Sequence, residues 1–141
     1  MMGIVLHTDV LVAALGSPTG ASRQVLLNVL EGNCPFLLST TLMVEYETVL
    51  MRPQNLNRFG LHAGEITLLL DTLAGLCVPV AFDYRWRPEA SDPDDDLVLE
   101  TAINGNASAI ISFNLRHLGA AAMRFGIPVL RPGDVLRRIR K

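Results

Sequence analysis

Four groups of residues have types and spacing that suit a catalytic or binding site, among them acids that could hold a cation. His7 and Asp9, in Leu6-His7-Thr8-Asp9-Val10-Leu11, stand where an apolar run gives way to a helical pattern. Glu45 lies in Leu42-Met43-Val44-Glu45-Tyr46-Glu47 among residues that read as buried. A carboxylate on such a face needs a partner, because an unpaired buried charge costs several kcal/mol; it either reaches solvent or an arginine, or belongs to a site. Asp92-Pro93-Asp94-Asp95-Asp96 opens another helical run. A helix dipole accounts for one or two acids in a first turn, but four in five residues repel one another, and a hard cation such as magnesium, which prefers carboxylate oxygen and water, relieves that repulsion. In Ile110-Ile111-Ser112-Phe113-Asn114-Leu115-Arg116-His117-Leu118, Ser112 and Asn114 can cap or orient. Arg116 can meet a phosphate, and His117 is a ligand, a base or a surface residue.

These groups need a scaffold that brings them together. Short runs at 4–6, 35–38, 78–82, 109–112 and 128–130 are apolar on both faces, as central strands of a parallel sheet are. Between them, 22–30, 41–51 and 63–76 carry apolar residues at helical spacing. Ser39-Thr40-Thr41 offers helix N-caps, Asp92 caps a helix with Pro93 at its first position, Arg52-Pro53 reads as a helix stop, and Gly75, Gly105 and Gly126 follow helical patterns. The order β-α-α-β-α-α-β-α-β-α-β-α implies an α/β fold, a three-layer α/β/α sandwich with a mostly parallel five-stranded sheet. Ligands of such sheets bind at the carboxyl ends of the strands, near a topological switch point.

The 141 residues are read as a single domain over 1–141, and with 50% hydrophobic and 18% charged residues the chain is too apolar for disorder. No apolar run reaches the roughly 18 to 20 residues of a membrane helix, so the expectation is a soluble, cytoplasmic protein with no membrane partner. Cys34 and Cys77 stand far apart in apolar surroundings, which suits free structural thiols. The net charge of −2 conceals an asymmetry, with acids concentrated between Asp83 and Glu100 and cations between Arg131 and Lys141. That basic end either touches RNA phosphates or forms an amphipathic helix whose cations complement its C-terminus, the second reading being preferred. Among aromatics that could stack on bases, Tyr46 is expected in the core and Trp86 in loop packing, with Tyr84 nearby. His62 receives no function, and no phosphate-binding loop, dinucleotide fingerprint or persuasive Ser/His/Asp order is present.

Four ordered blocks carry a family resemblance. They are Val5 to Leu15 with Ser17-Pro18-Thr19-Gly20-Ala21-Ser22, Glu45 to Pro53, Asp92 to Asp96, and Ile111 to Arg116. Together they resemble PIN-domain proteins, and most of all the VapC-like toxin components of type II toxin-antitoxin systems, over about residues 4 to 136. The resemblance implies an α/β/α sandwich, an endoribonuclease site dependent on Mg2+ or Mn2+, RNA as substrate, a small antitoxin as partner and a homodimer. Glu45 and Asp95 match family acids, with Asp96 beside the latter as a substitute. The first family acid falls at His7, and Asp9 is two residues on; the remaining one falls at Asn114, or in other members at His117.

The implied site therefore has Glu45, Asp95 and Asp9 as its catalytic residues. Glu45, Asp95, Asp9, Asp96 and His7 are its metal ligands, and Ser112, Asn114, Arg116 and His117 orient that shell or meet substrate. One ion is expected rather than two, and imidazole at His7 and His117 favours manganese, zinc or nickel over magnesium. The alternative is a catalytically impaired PIN-like protein that binds RNA or a protein partner.

Overall fold

The computed structural model describes residues 3–82 and 93–139. Asp92, the acids Asp83 and Glu89, the aromatics Tyr84 and Trp86, and Arg140 and Lys141 lie outside the described residues, as does the side chain of Asp94. In chain order the elements are β1 (Ile4–Leu6), α1 (Thr8–Gly16), α2 (Ala21–Leu30), β2 (Leu37–Leu38), α3 (Thr40–Leu50), α4 (Pro53–Phe59), α5 (Ala63–Leu76), β3 (Val78–Pro79), α6 (Pro93–Asn104), β4 (Ala109–Ile111), α7 (His117–Met123), β5 (Val129–Leu130) and α8 (Pro132–Ile139).

Every strand pairing is parallel. β1, β4 and β5 form one hydrogen-bonded group, with Leu6 opposite Ile111 and Ile111 opposite Leu130, and β2 and β3 form another. A parallel bridge between Ile4 and Phe36 joins the two, giving the order β3-β2-β1-β4-β5. The five-strand α/β expectation therefore holds, with strands shorter than the apolar runs that encode them. Ile4, Val5, Leu6, Ile110 and Ile111 are fully buried, which is why those runs show no polar alternation. Among the described residues β3 is an edge strand. Val78 and Val80 donate to Phe36 and Leu38 of the β2 side at 2.7 and 2.9 Å, so the proline nitrogen between them falls on the outer side, where a missing N–H breaks no pairing.

One helix differs from the sequence expectation. Arg52-Pro53 ends α3, but it also begins α4, so three helices separate β2 from β3 instead of two. Proline is as good a first helical residue as it is a stop, because its fixed φ suits the first turn and its absent N–H would have no intrahelical partner there. Arg52 has the extended ψ of 135° that a residue before proline prefers. Gly60, at φ 68°, closes α4 in the left-handed conformation that glycine adopts freely.

Two polar contacts tie the helices that will carry the site. Ser39 caps α3 as expected, accepting from the Leu42 N–H at 3.2 Å, and its hydroxyl meets that of Thr101 in α6 at 2.7 Å. Tyr46 is fully buried, and its hydroxyl donates to the Leu6 carbonyl at the end of β1. Burial pushes its phenol well above the usual range, so it serves as a neutral donor. Tyr46→Phe is expected to lower stability by about 1 to 2 kcal/mol, since the carbonyl loses a buried donor; urea denaturation midpoints measure it, and an unchanged midpoint contradicts the assignment.

The remaining polar expectations fall into place around this frame. In α8, Val135 and Leu136 are buried while Arg137 and Arg138 face solvent, Arg137 pairing with Asp134. This is the amphipathic-helix reading. Cys34 and Cys77 are both free thiols, and burial pushes each upward from its ordinary pKa, away from the thiolate that reactivity needs.

Candidate active site

The chain runs outward from β1 to β2 and β3, then returns to lay β4 on the opposite side of β1. Directions of winding therefore diverge between β1 and β4, and a crevice opens at their carboxyl ends. The register that sets Leu6 beside Ile111 makes His7 and Ser112 leave the sheet side by side; the His7 N–H donates to the Ile111 carbonyl at 2.9 Å. His7 occupies the N-cap position of α1 and Asp9 its first turn, where the positive end of the helix dipole favours an acid. The crevice has a volume of about 480 Å3, and Glu45 and Asp95 line it with His7, Asp9 and Asn114.

Ser112 is the hub. Its side chain is fully buried; the hydroxyl donates to Asp9 Oδ2 at 3.1 Å and accepts from the Asn114 N–H at 2.9 Å. Having given its only proton to Asp9, Ser112 can only accept from His7 Nδ1, 2.9 Å away. Nδ1 therefore bears a proton. His7 Nδ1 is also 3.0 Å from Asp9 Oδ2, while Nε2 is 3.1 Å from Asp95 Oδ1. With a carboxylate oxygen facing each nitrogen, the ring is placed as an imidazolium is, donating on both sides. The Asp95 side chain is only 3% exposed, and Asn114 Nδ2 donates to its second oxygen at 3.2 Å. Asn114 is itself held by the His117 N–H, which donates to its Oδ1 at 3.3 Å.

Asp9 is asymmetric. Oδ2 collects His7, Ser112 and the Phe113 N–H, the last at 3.1 Å. Oδ1 is buried and has no hydrogen-bond partner among the described residues. A buried acceptor left unmade costs about 1 to 3 kcal/mol, so this oxygen retains acceptor capacity that the described residues do not use.

The structure thus brings His7, Asp9, Asp95, Ser112 and Asn114 into one network, with Glu45 on the wall of the same crevice. Asp96, Arg116 and the His117 side chain do not line it. Helical phase separates the two adjacent acids: Asp95 is buried, whereas Asp96, one residue on, is rotated by about 100°. Sequence reasoning missed Arg52, Asn55, Arg58 and Phe113, all of which line the crevice. Reading Pro53 as a helix start would have found the first three, since Arg52, Asn55 and Arg58 then recur at three-residue steps.

A family model for the PIN domain matches residues 3–116, the segment that supplies His7, Asp9, Glu45, Asp95, Ser112 and Asn114. No curated protein matches the chain.

Proposed function

The chain belongs to the PIN domain family, and from that premise we propose that it is a metal-dependent endoribonuclease of toxin type, hydrolysing RNA phosphodiester bonds. PIN domains are nuclease-type folds that act on RNA and generally use divalent metal ions. The observation that carries the reading here is Asp9 Oδ1, a buried carboxylate oxygen without a partner among the described residues, in the crevice that Asp95 and Glu45 also line.

The donor chemistry fits Mg2+ or Mn2+. No group of three or more acidic, histidine or cysteine side chains converges as a metal cage among the described residues. Magnesium seldom uses such a cage; it is commonly held by one or two carboxylates and keeps several waters. Asp9 and Asp95 would hold one ion, with Glu45 completing the shell directly or through water. When bound, the ion supplies Lewis-acid polarisation of the phosphate and a more acidic water. His7 acts on the carboxylates and not on the ion, since both of its nitrogens face protein oxygens. It holds Asp9 and Asp95 in fixed orientation while Ser112 and Asn114 lock the remaining oxygens, the arrangement by which outer groups tune metal-binding ligands.

The toxin assignment, and with it a small antitoxin and a homodimer, is supported by the four sequence blocks described above. No helix among the described residues is long and apolar enough to cross a membrane, and a cytoplasmic location suits an enzyme of this kind. A second reading, a catalytically impaired PIN protein that binds RNA or a protein, has its own support: the ring of His7 already stands between Asp9 and Asp95.

The two readings separate in one experiment. Chelator-stripped protein is expected to cut labelled RNA only after Mg2+ or Mn2+ is restored, and the ion is expected to raise the Tm of the wild type but not of Asp9→Asn, because only the native form gains binding energy. Cleavage that continues in chelator sinks the metal-dependent reading. Absent turnover with intact RNA binding selects the second one.

A further inference from the structure

The two rims of the crevice differ in chemistry. On one, Phe113 is 49% exposed although it follows directly on the buried Ser112, and its backbone N–H is fixed on Asp9 Oδ2 at 3.1 Å. Phe113 thus lines the crevice beside Asp9 with its side chain half exposed. On the other, Arg52 precedes α4 and Asn55 and Arg58 lie within it, all three lining the crevice. Asn55 pins this corner through its side-chain amide, which donates to the Val49 carbonyl at 2.8 Å. Among the described residues neither guanidinium forms an ion pair or a side-chain hydrogen bond. Gly16, the last residue of α1, leaves room for one of them: a Cβ there would stand 3.0 Å from Arg58 Nε. The negative end of α1 accounts for Arg58 lying against it. It does not account for Arg52, or for two unpaired cations facing the same acidic crevice.

We propose that Phe113 is the stacking platform for one base of an unpaired RNA strand, and that Arg52 and Arg58 hold that strand's phosphates on the opposite rim. The identity of the strand as RNA rests on the nuclease reading. Stacking on an aromatic face tolerates any base but requires a base free of its helix, and guanidinium groups take phosphate oxygens in pairs.

The test is anisotropy of a labelled single-stranded RNA oligonucleotide in EDTA, where metal-dependent cleavage is silent, with thermal melts to show that the surface variants remain folded. Phe113→Ala is expected to weaken binding about 5- to 100-fold, and Phe113→Trp to retain it. Arg52→Ala with Arg58→Ala is expected to lower the slope of log K against log salt by roughly 1.4, the loss of two phosphate contacts on a single strand. A duplex of the same sequence binds more weakly than the single strand, and Arg137→Ala with Arg138→Ala in α8 binds as wild type. The proposal is overturned if wild type fails to bind the single strand, if the Phe113 and Arg52/Arg58 variants bind unchanged, or if the α8 variant loses as much. Failure of the nuclease reading looks different: wild type shows no metal-dependent cleavage while these binding losses stand.

Discussion

Alanine at position 7 is expected to destabilise the protein by about 3 to 5 kcal/mol, the range for removing one partner of a buried ion pair. His7 Nε2 and Nδ1 stand 3.1 and 3.0 Å from Asp95 and Asp9, and the Asp95 side chain is 3% exposed, so little water replaces the lost ring. Ser112 also loses the ring N–H that donates to its hydroxyl. Chemical denaturation measures the difference, and a loss below about 1 kcal/mol would show that the ring merely fills space. A companion variant separates charge from packing. His7→Asp places a third carboxylate beside Asp9 and Asp95, and its stability should become metal-dependent. It should rise by about 1.4 kcal/mol for each tenfold increase in free Mg2+ or Mn2+ above the dissociation constant. If added metal leaves that variant as unstable as the alanine form, the crevice does not hold a cation in the position proposed.

Asp95→Asn carries the largest expected effect on turnover, a loss of at least about a hundredfold in cleavage, since several kcal/mol of transition-state stabilisation depend on the ion being held. The amide has the shape of the carboxylate but only one acceptor oxygen. Asp95 accepts from Asn114 Nδ2 and faces His7 Nε2, so the new NH2 avoids opposing a donor only if it turns toward His7 and the ring gives up its Nε2 proton; without that rearrangement the mismatch costs about 1 to 3 kcal/mol in stability. RNA affinity measured in chelator should change little, because Phe113 and the arginine rim are untouched. Cleavage equal to wild type would falsify the assignment of Asp95 to the metal-binding set.

Much of this arrangement was legible before any contact was known, and the reason is local. Apolar runs such as Ile4-Val5-Leu6 and Ala109-Ile110-Ile111 mark strands buried on both faces, and the order of strands and helices implies a parallel sheet with its crevice at the carboxyl ends. His7 and Ser112 follow those runs directly, so their placement at a strand end needed no further information. The role of His7 was less accessible. Its partner Asp95 lies in another element, and only the reversal of the sheet brings α6 over β1. Local patterns also misled at Arg52-Pro53, where one dipeptide ends a helix and begins the next. Within the acidic run, charge density alone does not tell neighbours apart, whereas helical phase sets Asp95 on the crevice wall and Asp96 off it. Phe113 carried no signal at all, because an apolar residue beside a buried strand end reads as core until its exposure is seen.

The proline of β3 bears on how copies of this chain can meet. Its nitrogen sits on the outer side of the edge strand, between two donors turned inward to β2. A strand approaching from outside therefore finds no N–H at the centre of that edge, and edge-to-edge continuation of the sheet loses the bond that would register it. Self-association through β3 into an extended sheet is disfavoured by a single missing hydrogen.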